Sequence, residues 1–389
     1  MFTILAIAFM QMPQFAILPA TNIVATEVFP GLPIQTIQTA MSLPGFVCVI
    51  AGVVAALLLR CGVTSKRFTT IAGLFILVLG GITAIFLNSS FWHLCLMNVF
   101  IGAGLGTFLP SSQSIMFDNF DEDSRRFIAG IQSTCINGGG LVMTFLCGIL
   151  TSYVWYGGHL LMFFAIPALV VSCLFLPRDR KMRFSAGGDG DSPAVQRTKL
   201  PFSVYSYSLL VVVFFMMFNV ATINISTHLS QGGTSDPFAA GVASALSMAG
   251  GAVFGLLFPT LSKLFRDHVF ALSFLTMGIG HALFGFFPSS LIIGFVASFI
   301  CGATMSIFMP RCILNASILS DPTNSSTVTV LICCVSPGVG HFLSPLVITN
   351  LTLALGGEST QFRFRFTAVV CLALTVLIYF INLRRGKRW

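Results

Sequence analysis

The chain is short of charge. Only 8% of its 389 residues are Asp, Glu, Lys or Arg, against 56% hydrophobic, and so few charged side chains cannot coat a water-soluble globule of this size. That shortage excludes a soluble enzyme, a nucleic-acid-binding domain and a small disulfide scaffold. Carboxylates are the scarcer sign, 12 Asp and Glu against 20 Lys and Arg for a net +8, and none falls in the middle of an apolar run. The surplus of base does not signal nucleic acid, because the charges sit in short loops between apolar runs instead of on one face. Metal-ligand spacing is missing as well. The 11 cysteines are scattered, among them Cys48, Cys95, Cys135, Cys147, Cys173, Cys301 and Cys371, and the adjacent Cys333 and Cys334 have no CxxC partner. They read as small apolar fillers, and no metal or cofactor is expected. The chain also lacks HExxH, paired intramembrane carboxylates and a GxSxG inside an apolar run, so an intramembrane enzyme would have no catalytic constellation. No cationic stretch follows Met1, and the first apolar run is expected to be an uncleaved span.

Long apolar sequence is what the chain has in abundance. Its runs are too long for the ~10-residue alternating strands of a membrane barrel and call for helices, which satisfy their own backbone groups in lipid. They predict helices at 2–26, 36–59, 68–88, 91–117, 127–152, 157–176, 203–229, 238–262, 269–288, 290–318, 326–353 and 361–383. The expected fold is thus an all-α integral membrane protein with twelve transmembrane helices. Residues 1–176 would form one six-helix bundle, 177–202 a cytoplasmic linker, and 203–389 a second bundle with a basic tail. The linker holds Arg178, Arg180, Lys181, Arg183, Arg197, Lys199 and the turn-rich stretch Gly187 to Pro193, a composition unable to bury apolar area. With both termini cytoplasmic, the inner loops and C-terminus hold 17 of the 20 basic residues, leaving Arg363 and Arg365 outside and Arg311 within a span. That asymmetry orients a multi-pass protein of the plasma (inner) membrane.

A shift of 200 residues superposes Gly80 on Gly280, Phe86 on Phe286, Ser89 and Ser90 on Ser289 and Ser290, and Gly102 and Ala103 on Gly302 and Ala303. Without a gap it continues through Phe108 and Phe308, Pro110 and Pro310, Asp121 and Asp321, Gly138 and Gly338, and Gly140 and Gly340. Most of these residues punctuate backbone geometry. Six spans separate the copies, so the expected pseudo-repeats are parallel.

The loop Leu59-Arg60-Cys61-Gly62-Val63-Thr64-Ser65-Lys66-Arg67, the stretch Gly102-Ala103-Gly104-Leu105-Gly106 and the turn Phe120-Asp121-Glu122-Asp123-Ser124-Arg125-Arg126 carry a further signal. In these the chain resembles the major facilitator superfamily, over nearly its whole length. Leu59 and Asn98 stand where that family usually has Asp and Arg, and Asn137-Gly138-Gly139-Gly140 lacks the Pro of the drug/proton antiporter version. The resemblance implies a secondary transporter without enzymatic activity. It would work by rocker-switch alternating access, with spans 1, 4, 7 and 10 lining a central cavity.

Polar groups inside the membrane are costly and mark candidate substrate paths. Gln11, Gln14 and Asn22 of span 1 lie within about 80° of helical arc, and Asn219, Thr222 and Ser226 of span 7 within about 60°. Asn98 and Gln113 of span 4, and Arg311 with Asn315 of span 10, complete the candidate lining. Hydrogen-bonded glue between helices is the competing reading for the amides. Arg311 would bind an anionic group, act as a gate or snorkel to the surface. His341, with His281 behind it, is the coupling candidate should a proton drive transport. A cytoplasmic latch is expected from Arg60, Gly62, Lys66, Arg67, Asp118, Asp121, Arg125 and Arg126. Gly102, Gly104, Gly106, Gly138, Gly139 and Gly140 would let helices approach closely, either as static packing or as faces that slide.

The sequence thus points to a carrier, expected as a monomer, whose partners are the lipid bilayer, a small organic solute and a coupling proton. Efflux of a hydrophobic or amphipathic compound is the leading expectation, from 40 Phe and 15 Met. Import of a metabolite or organic anion, and a transport-inactive sensor or assembly protein on the same scaffold, are the alternatives.

Overall fold

Backbone groups in lipid must find partners within their own segment, and the described residues meet that demand with helix alone. The computed structural model describes residues 2–61, 63–119, 122–176, 202–234, 236–319 and 330–385, among which there is no strand. Helix α1 (Phe2–Phe9) opens a stretch that continues through 3₁₀ turns at Pro13–Phe15 and Leu18–Ala20 and a π-turn at Val24–Val28. There follow α2 (Ile34–Arg60), α3 (Lys66–Phe86), α4 (Phe91–Asn119), α5 (Glu122–Thr151) and α6 (Ala165–Phe175). Residues 177–201, the expected linker, lie outside the described residues; beyond them come α7 (Phe202–Gln231), α8 (Pro237–Phe265), α9 (Val269–Phe286) and α10 (Leu291–Leu319). Helix α11 (Ser336–Ser344) is flanked by π-turns at Leu331–Val335 and Pro345–Thr349, and α12 (Thr360–Arg385) closes the described chain.

Among the described residues nine segments are long and apolar enough to cross a membrane, and one of them, Pro237–Phe286, contains both α8 and α9. Leu256, Val369, Val376 and Phe380 stand exposed on the outside, a surface that water would not tolerate and hydrocarbon would. The chain is an integral, multi-pass membrane protein.

Local chemistry sets several helix ends. Ser65 caps α3 by accepting from the Phe68 backbone N–H, and Asp236 caps α8 by accepting from Phe238, with Pro237 in the first turn where no donor is needed. Gly233 and Gly356 take φ of 98° and 82° in the turns after α7 and before α12, a conformation that side chains resist. The turns at 29–33, 232–234 and 355–359 gather at one end of the bundle, here called distal; the opposite end carries the turns after α2 and α8 and is called the linker side.

Helix α4 packs on α2 and α3, and α10 packs on α8 and α9. Glycine makes both contacts close: a methyl on Gly102 would lie 2.5 Å from the Pro44 carbonyl oxygen in α2, and one on Gly302 would overlap the Ser247 carbonyl in α8. Gly80 faces Met97 and Ile101, while Gly280 faces Ala297 and Cys301, residue for residue at an offset of 200. Between the two sets, α5 meets α8 and α2 meets α11. A methyl on Gly148 would sit 2.8 Å from the Gly241 Cα, and Phe46 stacks on Phe342 at 4.6 Å.

Candidate functional site

The first apolar stretch does not run straight, because Pro13 and Pro19 withhold backbone donors where an α-helix would use them. Its 3₁₀ turns bury Phe15 and Leu18 and bring the Pro19 carbonyl against α7. Helix α7 is buried along most of its length, so its polar stripe has to find partners inside the protein. Ser226 Oγ donates to the Pro19 carbonyl at 2.8 Å and accepts from the Asn22 backbone N–H at 3.3 Å. One helical turn and more toward the linker side, Asn219 donates to Ser42 Oγ of α2 at 3.2 Å and to the His341 carbonyl at 2.8 Å. Its own oxygen accepts from Thr222 at 2.9 Å. Asn22, Asn219 and Ser226 therefore join residues of the first set to residues of the second, while Thr222 bonds Asn219 within α7.

A second polar group closes the distal end of the same seam. Gln38 of α2 donates to Asn224 Oδ1 at 2.7 Å, and its carbonyl oxygen accepts from Thr349 at 3.1 Å. The same Asn224 oxygen accepts from Arg363 Nη1 at 3.0 Å. Arg363 is 1% exposed, and among the described residues it has no carboxylate partner and its Nε no hydrogen-bond acceptor. This corrects two expectations: Arg363 is not in an outer loop, and Arg311 is not the single full charge within a span. The apolar window predicts α12 from 361, but the position of Arg363 one turn inside a buried helix start depends on which helices cover it.

Beside α7 lies a void of about 10 Å³, room for roughly one water, bounded by Phe15, Leu18, Thr222, Ile225, Met248 and Ser298 among others. Hydroxyls dominate its polar lining. Gln14 Oε1 is buried without a hydrogen bond, whereas Gln11 reaches Ser112 Oγ only at 3.5 Å. A larger recess of about 340 Å³ lies elsewhere, on an outer face between α2, α3 and α4, and is almost wholly apolar.

The other candidates fall in four places. Asn98 is fully buried within the first set, donating to the Ala40 carbonyl at 2.8 Å and pairing with His159 Nε2 at 3.0 Å. Asn315 donates to Tyr207 Oη at 3.1 Å within the second set. Arg311 extends to Asp267 at 3.3 Å in the turn before α9, where the aspartate is 74% exposed, so its guanidinium reaches the linker-side surface. Arg67 donates to the Cys173 carbonyl of α6 at 2.6 Å, and the Lys66 carbonyl accepts from Thr69 and Thr70. Gly62 and Asp121 lie outside the described residues, as do the side chains of Arg60, Gln113, Asp118, Arg125 and Arg126.

His341 is half-buried among Phe15, Phe215 and Phe218, with ring centroids 5.6, 5.0 and 6.4 Å away. His281 is fully buried, with neither ring nitrogen hydrogen-bonded. Gly104 and Gly106 abut the Gly73 and Cys48 carbonyls inside the first set; Gly139 abuts the Phe9 carbonyl and Gly140 the side chain of Met248, while Gly138 faces open space. Arg363, Gln38, Asn224 and Thr349 were not among the residues singled out by their sequence pattern. The one available signal was an arginine within a turn of a predicted span boundary.

The family model of the Major Facilitator Superfamily matches residues 3–234. No curated protein matches by sequence. Among solved structures, the chain is similar to a POT family transporter in complex with a thioalcohol-conjugated peptide, at 14% identity and TM-score 0.75, over 98% of this chain and 96% of that one. A mutant peptide transporter POT in complex with alafosfalin gives 14% identity and TM-score 0.75 over 99% and 94%. A POT family transporter in complex with 5-aminolevulinic acid gives 14% and 0.73 over 98% and 96%. At this identity the likeness is one of fold.

Proposed function

The chain belongs to the Major Facilitator Superfamily, and from that premise we propose that it is a secondary transporter carrying a small organic solute by alternating access. The observation that carries this reading is the polar seam. Residues 1–176 and 203–389 act as two six-helix bundles whose contact includes breakable hydrogen bonds, Ser226 to Pro19, Asn219 to Ser42 and Gln38 to Asn224, beside apolar packing such as Phe15 on Phe218 and Phe46 on Phe342. Each such bond contributes roughly 1 kcal/mol net, small enough for two packings of the halves to interconvert. The seam is closed at its distal end, and the small void beside α7 is walled by apolar side chains with a few hydroxyls among them.

Twelve crossings in two parallel sets follow from the same reading. The matched contacts of Gly80 and Gly280, and of Gly102 and Gly302, support the repeat. The basic loops support a cytoplasmic linker side and cytoplasmic termini; on that reading the distal end faces outward and is the closed one. His341, packed against Phe15, Phe215 and Phe218 and tied by its carbonyl to Asn219, is the residue through which a proton would couple to movement.

The solute is polar or amphipathic. Amide and hydroxyl groups at the centre support that class over a purely apolar drug, and the similarity to peptide transporters points the same way. Net direction, outward for the amphipathic export expected from composition, is decided by the test. The purified protein in proteoliposomes should show counterflow of at least one compound from a panel of short peptides, organic acids and amphipathic drugs. No exchange across the whole panel, with folded protein, would instead favour a transport-inactive sensor.

A further inference from the structure

Arg363 meets three penalties at once. It is a cation removed from water, and an unpaired buried charge costs several kcal/mol. It lies in the first turn of α12, at the end of the helix whose macrodipole already points positive. Its Nε has no acceptor, although buried donors are almost always satisfied. The nearest acid in the sequence, Glu358, contributes only its backbone carbonyl at 3.5 Å while its residue stands exposed. By contrast Arg365, two residues on, is exposed, donates to the Gly285 carbonyl at 2.7 Å and lies 5.2 Å over the Phe286 ring. Among the described residues no carboxylate neutralises Arg363, and what covers it from the other bundle is Gln38 through Asn224.

We propose that Arg363 anchors an oxyanion of the transported solute, a carboxylate above all, which reaches it from the distal side when Gln38 withdraws from Asn224 and Thr349. The proposal rests on the carrier reading above and names the substrate class. In the closed state the guanidinium keeps one good bond, to the Asn224 amide oxygen. When the bundles part distally, the Gln38 bonds are lost and the Asn224–Arg363 pair, both in the second bundle, faces the opening. A planar carboxylate then fits the guanidinium fork, supplying the acceptor that Nε lacks and the negative charge that the site lacks.

The test measures thermal stability of the purified full-length protein in detergent. Benzoate and acetate are titrated against benzamide and acetamide in a common salt background, with chloride and phosphate as separate arms. Saturable stabilisation by the carboxylates but not the amides is expected in the wild type. Arg363→Lys should weaken it roughly tenfold, and Arg363→Met should abolish it. Gln38→Ala should strengthen the apparent affinity, because opening becomes easier. If Arg363→Met does not fold, Asn224→Asp supplies an internal carboxylate to the guanidinium and should abolish the response in a folded protein. The proposal is overturned if the amides act as well as the carboxylates, if no carboxylate acts, or if the response survives Arg363→Met or Asn224→Asp. A response to chloride or phosphate alone would overturn the assignment to the solute. Proteoliposome flux is read separately, so that absent transport sinks the carrier reading while the binding series still decides Arg363.

Discussion

Gln38 and Asn224 lie 186 residues apart in the chain and meet at 2.7 Å, amide to amide. The oxygen that receives Gln38 also receives Arg363, so a single acceptor ties α2, α7 and α12 together. Thr349 completes the group by donating to the other end of Gln38. One glutamine side chain therefore spans the seam at its distal end, and its removal acts on closure before it acts on folding.

Replacing Gln38 with alanine should shift the protein toward a distally open form. Loss of two buried hydrogen bonds to the opposite bundle amounts to about 1–3 kcal/mol, or roughly 5- to 150-fold in the closed-to-open ratio. Spin labels placed at the distal ends of α2 and α7 should report a longer mean separation in the variant. An unchanged distance distribution would show that the apolar contacts alone hold the seam.

Asn98 bonds Ala40 and His159 inside the first set of helices, and it is expected to hold that set together instead of touching the solute. Asn98→Leu leaves the buried His159 Nε2 without its partner and should destabilise the protein by about 1–3 kcal/mol. Since the side chain bonds Ala40 and His159, KM for any transported solute should stay within about twofold. Thermal inactivation and uptake kinetics measured on the same preparation separate the two effects, and a selective rise in KM would put Asn98 back among the lining residues.

Arg311→Ala should leave transport of every solute within about twofold of the wild type. The Arg311 side chain is 19% exposed but its partner Asp267 is 74% exposed, and a pair open to water on the carboxylate side contributes about 1 kcal/mol and fades with salt. A loss of uptake with normal expression would contradict this placement.

Glycine substitutions should divide sharply by position. Gly302→Ala drives a methyl into the Ser247 backbone, and backbone cannot rotate aside, so a destabilisation of about 1–3 kcal/mol is expected. Gly138→Ala meets nothing within 4 Å and should be neutral or stabilise by about 0.5–1 kcal/mol through helix propensity. Temperature-dependent loss of monodisperse protein in size-exclusion chromatography ranks the pair.

Much of the architecture was legible because it depends on averages and local signals. Hydropathy over long windows located the helices, and the start of α4 and α10 at Phe91 and Leu291, an offset of 200, was visible as a run of matched residues. The motif resemblance is borne out by the family match over 3–234. Individual partners were less legible. The stripes on α7 and the first apolar stretch are read from helical spacing, yet the first stretch breaks into 3₁₀ and π turns, so its angular arithmetic applies only in part.

The sequence by itself determined that this is a helical membrane protein of one family, because apolar length, loop charge and glycine punctuation are properties of each segment alone. Only the tertiary structure decided that Asn98 is internal glue, that Arg311 reaches the surface and that Arg363 is buried beneath Gln38 and Asn224. Those outcomes depend on which side chains, often more than a hundred residues away, arrive opposite each polar group, and a buried donor or charge takes its meaning from the partner it finds there.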